Sequence, residues 1–133
     1  TDFYARFVRP GVVMAGLEQD PGLDDYAVTR SHLGILRAAT DAKGRKLEVI
    51  AVESPAQVRP RWRDSEDFAA GYIGYYVCNG AVIAQQFGDR DADARAQAAL
   101  ARAFPGRKIE VLDMDAIAAG GGSVHCATQQ QPA

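Results

Sequence analysis

The chain has 133 residues, 47% of them hydrophobic and 24% charged, with 15 basic side chains against 17 acidic ones and a formal net charge of -2. That composition excludes a disordered tail and a collagen-like chain, and the length excludes a multidomain protein. The balance of charge leaves no excess of cations to hold a polyanion, so no nucleic-acid partner is expected.

The first residue is Thr1 rather than Met, as expected of a processed or truncated product. The longest apolar runs, such as residues 81–84, are far too short to cross a bilayer. The N-terminus also lacks a basic-then-apolar signal pattern, so no membrane partner is expected. Two cysteines, Cys78 and Cys126, could make a single bridge and match no metal-ligand spacing. Reduced thiols in the cytoplasm are the expected state.

In chain order, residues 3–8 form a β-rich run, Pro10-Gly11 a tight turn, and residues 12–17 a second β-rich run. A helical stretch follows, with Asp24 and Asp25 at its start and Tyr26, Leu33, Leu36 and Ala39 on its apolar side. Gly44-Arg45-Lys46-Leu47-Glu48-Val49 then reads as a stop and a short strand. The same order of signals returns from residue 72: a run over residues 72–78, a turn at Asn79-Gly80, and a run over residues 81–87. Asn-Gly between two such runs is a strong hairpin signal, because both turn residues tolerate positive φ. The second helical stretch has Asp91 and Asp93 at its start, where free N–H groups and the macrodipole favour negative charge. Its apolar stripe is Ala92, Ala96, Ala99, Leu100 and Ala103, and Gly106-Arg107-Lys108-Ile109-Glu110-Val111 closes the copy. Each unit is therefore strand, hairpin, strand, helix, strand. Two such units leave strand edges and helix faces uncovered, so further units are expected from elsewhere.

Residues 53–67, between the copies, carry Pro55, Pro60 and the charges of Arg59, Arg61, Arg63, Asp64, Glu66 and Asp67, and read as a solvent loop. Trp62 within it suits either a ligand platform or, as is commoner for this side chain, a cover for an apolar patch, and is assigned no role. His32 is read as solvent-facing in mid-helix. Neither it nor His125 has a second ligand at metal-site spacing, so no metal is expected.

The C-terminal segment is Gly120-Gly121-Gly122-Ser123-Val124-His125-Cys126-Ala127-Thr128-Gln129-Gln130-Gln131-Pro132. Three glycines suit a sharp backbone turn or the close approach of a ligand. Residues 124–128 read as a short strand, which would point His125 and Cys126 to opposite faces and make His125 a poor base for Cys126. From the residues alone, Cys126 is either an inert thiol or a nucleophile.

This segment resembles the C-terminal signature of the agmatine deiminase family, related to bacterial peptidylarginine deiminases. The likeness extends upstream. Asn79-Gly80 with Phe87-Gly88-Asp89 resembles the family's penultimate hairpin, and residues 101–107, with Phe104-Pro105, resemble the helix end that follows. Asp2 with Ala5-Arg6-Phe7-Val8-Arg9-Pro10-Gly11-Val12-Val13 resembles the stretch that follows the family's Gly-His-x-Asp motif. Most of the chain outside residues 53–67 is covered.

The resemblance implies an α/β fold of two ββαβ-type repeats, about residues 3–52 and 72–114, belonging to a pentein. That five-bladed α/β propeller would be incomplete in this chain. Residues 116–133 would be the nucleophile segment, and the whole chain the C-terminal part of one catalytic domain. The same resemblance makes Cys126 the nucleophile and Asp2 the carboxylate that holds the guanidinium, with the backbone of Gly120, Gly121 and Gly122 near the site. His125 receives no catalytic role. A planar cation with several N–H donors is well held by carboxylates, and a thiolate beside such a cation is favoured. The implied reaction is agmatine plus water giving N-carbamoylputrescine and ammonia, a step of polyamine biosynthesis, without a cofactor. The implied partners are a small guanidino substrate and the remaining blades of the same protein, with room for a homo-oligomer. The alternatives are a deiminase for another guanidino compound or for peptidyl arginine, and an inactive guanidino-binding fragment.

Against the family pattern, the catalytic His would fall one residue before Thr1, so the isolated chain is expected to be inactive without the upstream blades. Gly74 stands where the family commonly has Asn, Gln85 where it commonly has Pro, and Ser123 where it commonly has Asn. These differences bear on which guanidino compound is the substrate.

Overall fold

In a computed structural model, which describes residues 3–131, the chain folds into two three-stranded sheets of one design. In the first, β1 (Ala5–Arg9) pairs antiparallel with β2 (Val12–Leu17). The chain then crosses through α1 (Asp25–Ala38) and returns as β3 (Glu48–Glu53), parallel to β2. The second sheet repeats this with β4 (Tyr76–Cys78), β5 (Ala81–Gln86), α2 (Arg90–Ala103) and β6 (Lys108–Asp113). Gly11 and Gly80 turn the two hairpins with φ of 81° and 79°, a region that glycine enters without a Cβ penalty. The returning strands begin with the same bond: Glu48 N–H donates to Gly11 O and Lys108 N–H to Gly80 O, each at 2.9 Å.

Both helices follow from their sequence patterns, with different results. In α2 the five stripe positions, Ala92, Ala96, Ala99, Leu100 and Ala103, are all buried, because the helix lies against β5 and β6 of its own sheet and β3 of the other. The shared core joins Met14 and Val52 of the first unit to Ile73, Tyr75, Val82, Phe87 and Leu100 of the second. Burying a leucine such as Leu100 contributes roughly 1.5–3 kcal/mol. In α1 only Thr29 and Leu33 are buried, while Val28 and Ile35 face solvent. Thr29 was not expected inside. Its hydroxyl is satisfied locally, donating to Asp25 O at 2.7 Å and accepting from Glu18 N–H at 3.1 Å.

Several expectations need correction. The strand expected from residue 72 is confined to Tyr76–Cys78. Residues 72–75 are buried, but their backbone leaves the ladder: Gly74 O accepts from the C-terminal segment, and the carbonyls of Ile73 and Tyr75 accept from Arg6. The strand expected near Val49 starts at Glu48 and extends to Glu53, since Ile50, Ala51 and Val52 pair with β2. Residues 53–67 are not a bare solvent loop. They contain a 3-10 turn, Pro60–Trp62. Trp62 stacks on Phe68 with ring centroids 5.6 Å apart, in keeping with the covering role read for it. His32 is half-buried rather than solvent-facing, its ring 5.0 Å from that of Tyr4.

Candidate active site

The C-terminal segment begins at β6, whose end leads into a four-residue helix, α3 (Asp115–Ala118). Asp115 anchors this helix. Its side chain is fully buried, with Arg59 Nη1 2.5 Å from Oδ1 and Arg61 Nη2 3.1 Å from Oδ2. The loop between the repeats is thereby tied to the foot of the candidate site, and Ala69 N–H adds a bond to Ala118 O at 2.9 Å.

The glycine run is the C-terminal cap of α3. Gly121 N–H donates to Ala118 O at 2.9 Å and Gly122 N–H to Ile117 O at 3.2 Å, the paired bonds of a Schellman end. Gly121 has φ of 76°, so the sharp turn, one of the two reasons considered for this run, requires glycine there.

The chain then enters a second 3-10 turn, His125–Ala127, rather than the expected strand. His125 and Cys126 therefore occupy adjacent corners of a turn and do not alternate across a sheet. The turn is closed by Cys126 N–H to Ser123 O at 3.1 Å and Thr128 N–H to His125 O at 3.2 Å. Cys126 is exposed. Its Sγ lies 3.3 Å from the hydroxyl of Ser123, which is 2% exposed.

Three residues noted as departures from the family pattern meet at this turn. Gln85 is buried on β5; its Oε1 accepts from Val124 N–H at 3.1 Å and its Nε2 donates to Gly71 O at 3.1 Å. Gly74 O accepts from His125 N–H at 2.9 Å, and the α-carbon of Gly74 faces Ser123. A polar residue within the apolar run of residues 81–87 was the available signal for Gln85. No local signal pointed to the Arg59–Asp115 pair.

Residues 71–73, just before Gly74, line a cavity of about 420 Å³. Phe3, Tyr4, Trp62, Glu18, Asp25 and Glu66 also line it. Asp2, the expected guanidinium partner, lies outside the described residues; its neighbours Phe3 and Tyr4 border the cavity. Among the described residues, no group of three or more His, Cys, Asp or Glu is placed to hold a metal ion. No helix among them is long and apolar enough to cross a membrane.

Two acidic contacts stiffen the surroundings. Asp89 is held below the usual carboxylate range chiefly by the backbone N–H of Ala92, with Ala56, Gln57 and Asp91 adding to it against burial. Burial and the bond to Asp93 push the Tyr72 hydroxyl far above its ordinary range, which keeps it a neutral donor to Asp93 Oδ1 at 2.8 Å.

Two hairpin-and-crossover units sharing one core define an incomplete α/β propeller of the pentein class. Its backbone superposes on the agmatine deiminase of Enterococcus faecalis with a TM-score of 0.87 at 29% identity, covering 98% of this chain and 40% of that one. The family of Porphyromonas-type peptidyl-arginine deiminases matches residues 1–132, and the chain belongs to that family. It is 42% identical over 131 residues to a Streptomyces coelicolor protein provisionally named an agmatine deiminase, covering 98% of this chain and 38% of the relative. It is 34% identical over 144 residues to the agmatine deiminase of Medicago truncatula, covering 96% of this chain and again 38% of the relative. The chain thus spans about two fifths of the length of these relatives.

Proposed function

We propose that the chain is the C-terminal, nucleophile-bearing part of one catalytic domain of a cytoplasmic guanidino hydrolase, and that its substrate is agmatine. The observation that carries this reading is the exposed Cys126 thiol on a turn fixed by a glycine cap, with the buried Ser123 hydroxyl 3.3 Å from Sγ. Membership of the deiminase family and the relatives named agmatine deiminase support the same chemistry.

In the proposed reaction, Sγ attacks the guanidinium carbon and forms a C–S bond. The C–N bond to an amino group breaks, and that nitrogen leaves as ammonia after taking a proton. Water then attacks the resulting thiouronium carbon, the C–S bond breaks, and the thiol returns. The sum is agmatine plus water to N-carbamoylputrescine plus ammonia, with no redox step. Asp2 holds the planar cation through charge-assisted N–H bonds. Proton transfer falls to a histidine that the family pattern places one residue before Thr1, so the isolated chain is inactive on this reading.

The test is ammonia release from agmatine by the chain assembled with the rest of its protein. Cys126→Ala lowers kcat by at least about 1,000-fold, since a lost nucleophile is not replaced by its neighbours. Release at the wild-type rate would overturn the assignment of Cys126. Turnover of a peptidyl arginine or another guanidino compound with agmatine inert would overturn the substrate alone.

A further inference from the structure

We infer that Gln85 is a positioning residue: its buried amide, fastened to Gly71 on one side and Val124 on the other, sets the direction in which the Cys126 turn presents its thiol. The bonds internal to the turn, from Cys126 N–H to Ser123 O and from the Thr128 hydroxyl to Val124 O, fix its shape and leave its orientation free. Among the described residues, two external bonds to consecutive N–H groups bear on that orientation. Val124 N–H is taken by Gln85 Oε1 at 3.1 Å and His125 N–H by Gly74 O at 2.9 Å.

Gln85 also bears on the second of these acceptors. Its Nε2 donates to Gly71 O at 3.1 Å, at the start of the segment that delivers Gly74 O, while Arg6 Nη1 holds the flanking carbonyls of Ile73 and Tyr75. One side chain on the central strand of the second sheet thus makes one contact of the turn directly and supports the other. Gln85 is 2% exposed, and a buried amide is tolerated only when its donor and its acceptor are both matched. Here both are matched, and neither partner belongs to the strand neighbours of β5. A reacting sulfur displaced by about 1 Å can lose about 100-fold in rate, so a rigid support of this kind has a catalytic consequence.

The inference rests on Cys126 acting as the nucleophile, and the experiment separates the two claims. Gln85→Met and Gln85→Glu are made in the chain assembled with the rest of its protein. Labelling of Cys126 and Cys78 is followed by mass spectrometry with iodoacetamide, which reacts without docking, and with a haloacetamidine, which must dock as a guanidinium mimic. In Gln85→Met, haloacetamidine labelling of Cys126 and kcat for agmatine both fall by about tenfold or more, while KM changes by less than about twofold. Iodoacetamide labelling of both cysteines stays near the wild-type rate, because the thiols remain as accessible as before. Gln85→Glu, a buried carboxyl held neutral, makes both bonds and restores the rates to within about threefold. Wild-type rates in Gln85→Met would overturn the positioning role. So would a general rise in iodoacetamide labelling that Gln85→Glu does not reverse, since Gln85 would then only hold the fold together. A wild-type protein whose Cys126 reacts with iodoacetamide but never with haloacetamidine would overturn the nucleophile reading itself.

Discussion

A Cβ built on Gly74 would lie 2.2 Å from both Cβ and Oγ of Ser123, closer than any side chain tolerates. Gly74 and Ser123 are therefore coupled in this chain: a side chain at position 74 is incompatible with Ser123 where it now sits. Gly74→Ala overpacks this contact and costs about 1–3 kcal/mol. The double variant Gly74→Ala with Ser123→Gly removes the clashing atoms and recovers most of that loss, a coupling that a double-mutant cycle of thermal melts reads directly. Additive losses in the cycle would show that the two residues act independently. Both residues could be named from the sequence as departures from the family pattern. Their contact could not, because a segment outside any strand and a turn outside any helix have no periodicity to relate them.

Helix α2 shows which element-level features local chemistry settles. Its buried stripe follows from spacing alone, but its cap is Asp89, with the side chain accepting from Ala92 N–H at 3.1 Å. Asp93, expected simply to carry charge at the helix start, reaches back to the N–H groups of Phe87 and Gly88, each at 3.0 Å. Asp89 also accepts from Ala56 N–H at 3.0 Å, so one carboxylate joins α2 to the start of the inter-repeat loop. Asp89→Ala costs about 1 kcal/mol at neutral pH. The pH dependence has a definite sign. The carboxyl is depressed in the folded state, so its stabilisation is present above the unfolded value of about 3.9 and is lost as pH falls through the lower folded value. Asp89→Asn keeps an acceptor and removes the titration. Thermal melts across that acidic range should fall more steeply for wild type than for Asp89→Asn, and parallel slopes would remove Asp89 from the account.

On the scale of the whole molecule, each sheet has one central strand and two edges, β1 and β3 in the first and β4 and β6 in the second. Large apolar side chains also face solvent: Phe7 and Ile35 are each 63% exposed and Leu112 44%. Open edges and exposed apolar faces are surfaces that further repeats would cover. In the chain studied alone, amides of β2 and β5 should exchange with deuterium most slowly, those of the edge strands should exchange readily, and a dye for exposed apolar surface should bind. Adding the remaining part of the protein should slow the edges and release the dye. Uniform protection with no dye binding in the chain alone would mean that these surfaces need no partner.

The two units, their hairpin turns and the buried face of α2 were legible in the order of residues, and a sharp turn was one of two readings of the glycines at residues 120–122, since each rests on backbone preferences and periodicity within a few residues. Tertiary structure decided the rest. His125–Ala127 forms a 3-10 turn because the N–H groups of Val124 and His125 find acceptors on Gln85 and Gly74, and residues 124–128, of which only Val124, Cys126 and Ala127 are apolar, carry no strand preference strong enough to oppose that. Arg59 meets Asp115 across 56 positions and Gln85 meets Val124 across 39. Pairings at such distances have no local propensity to announce them, and they form only once the inter-repeat loop and the C-terminal segment pack onto the second repeat.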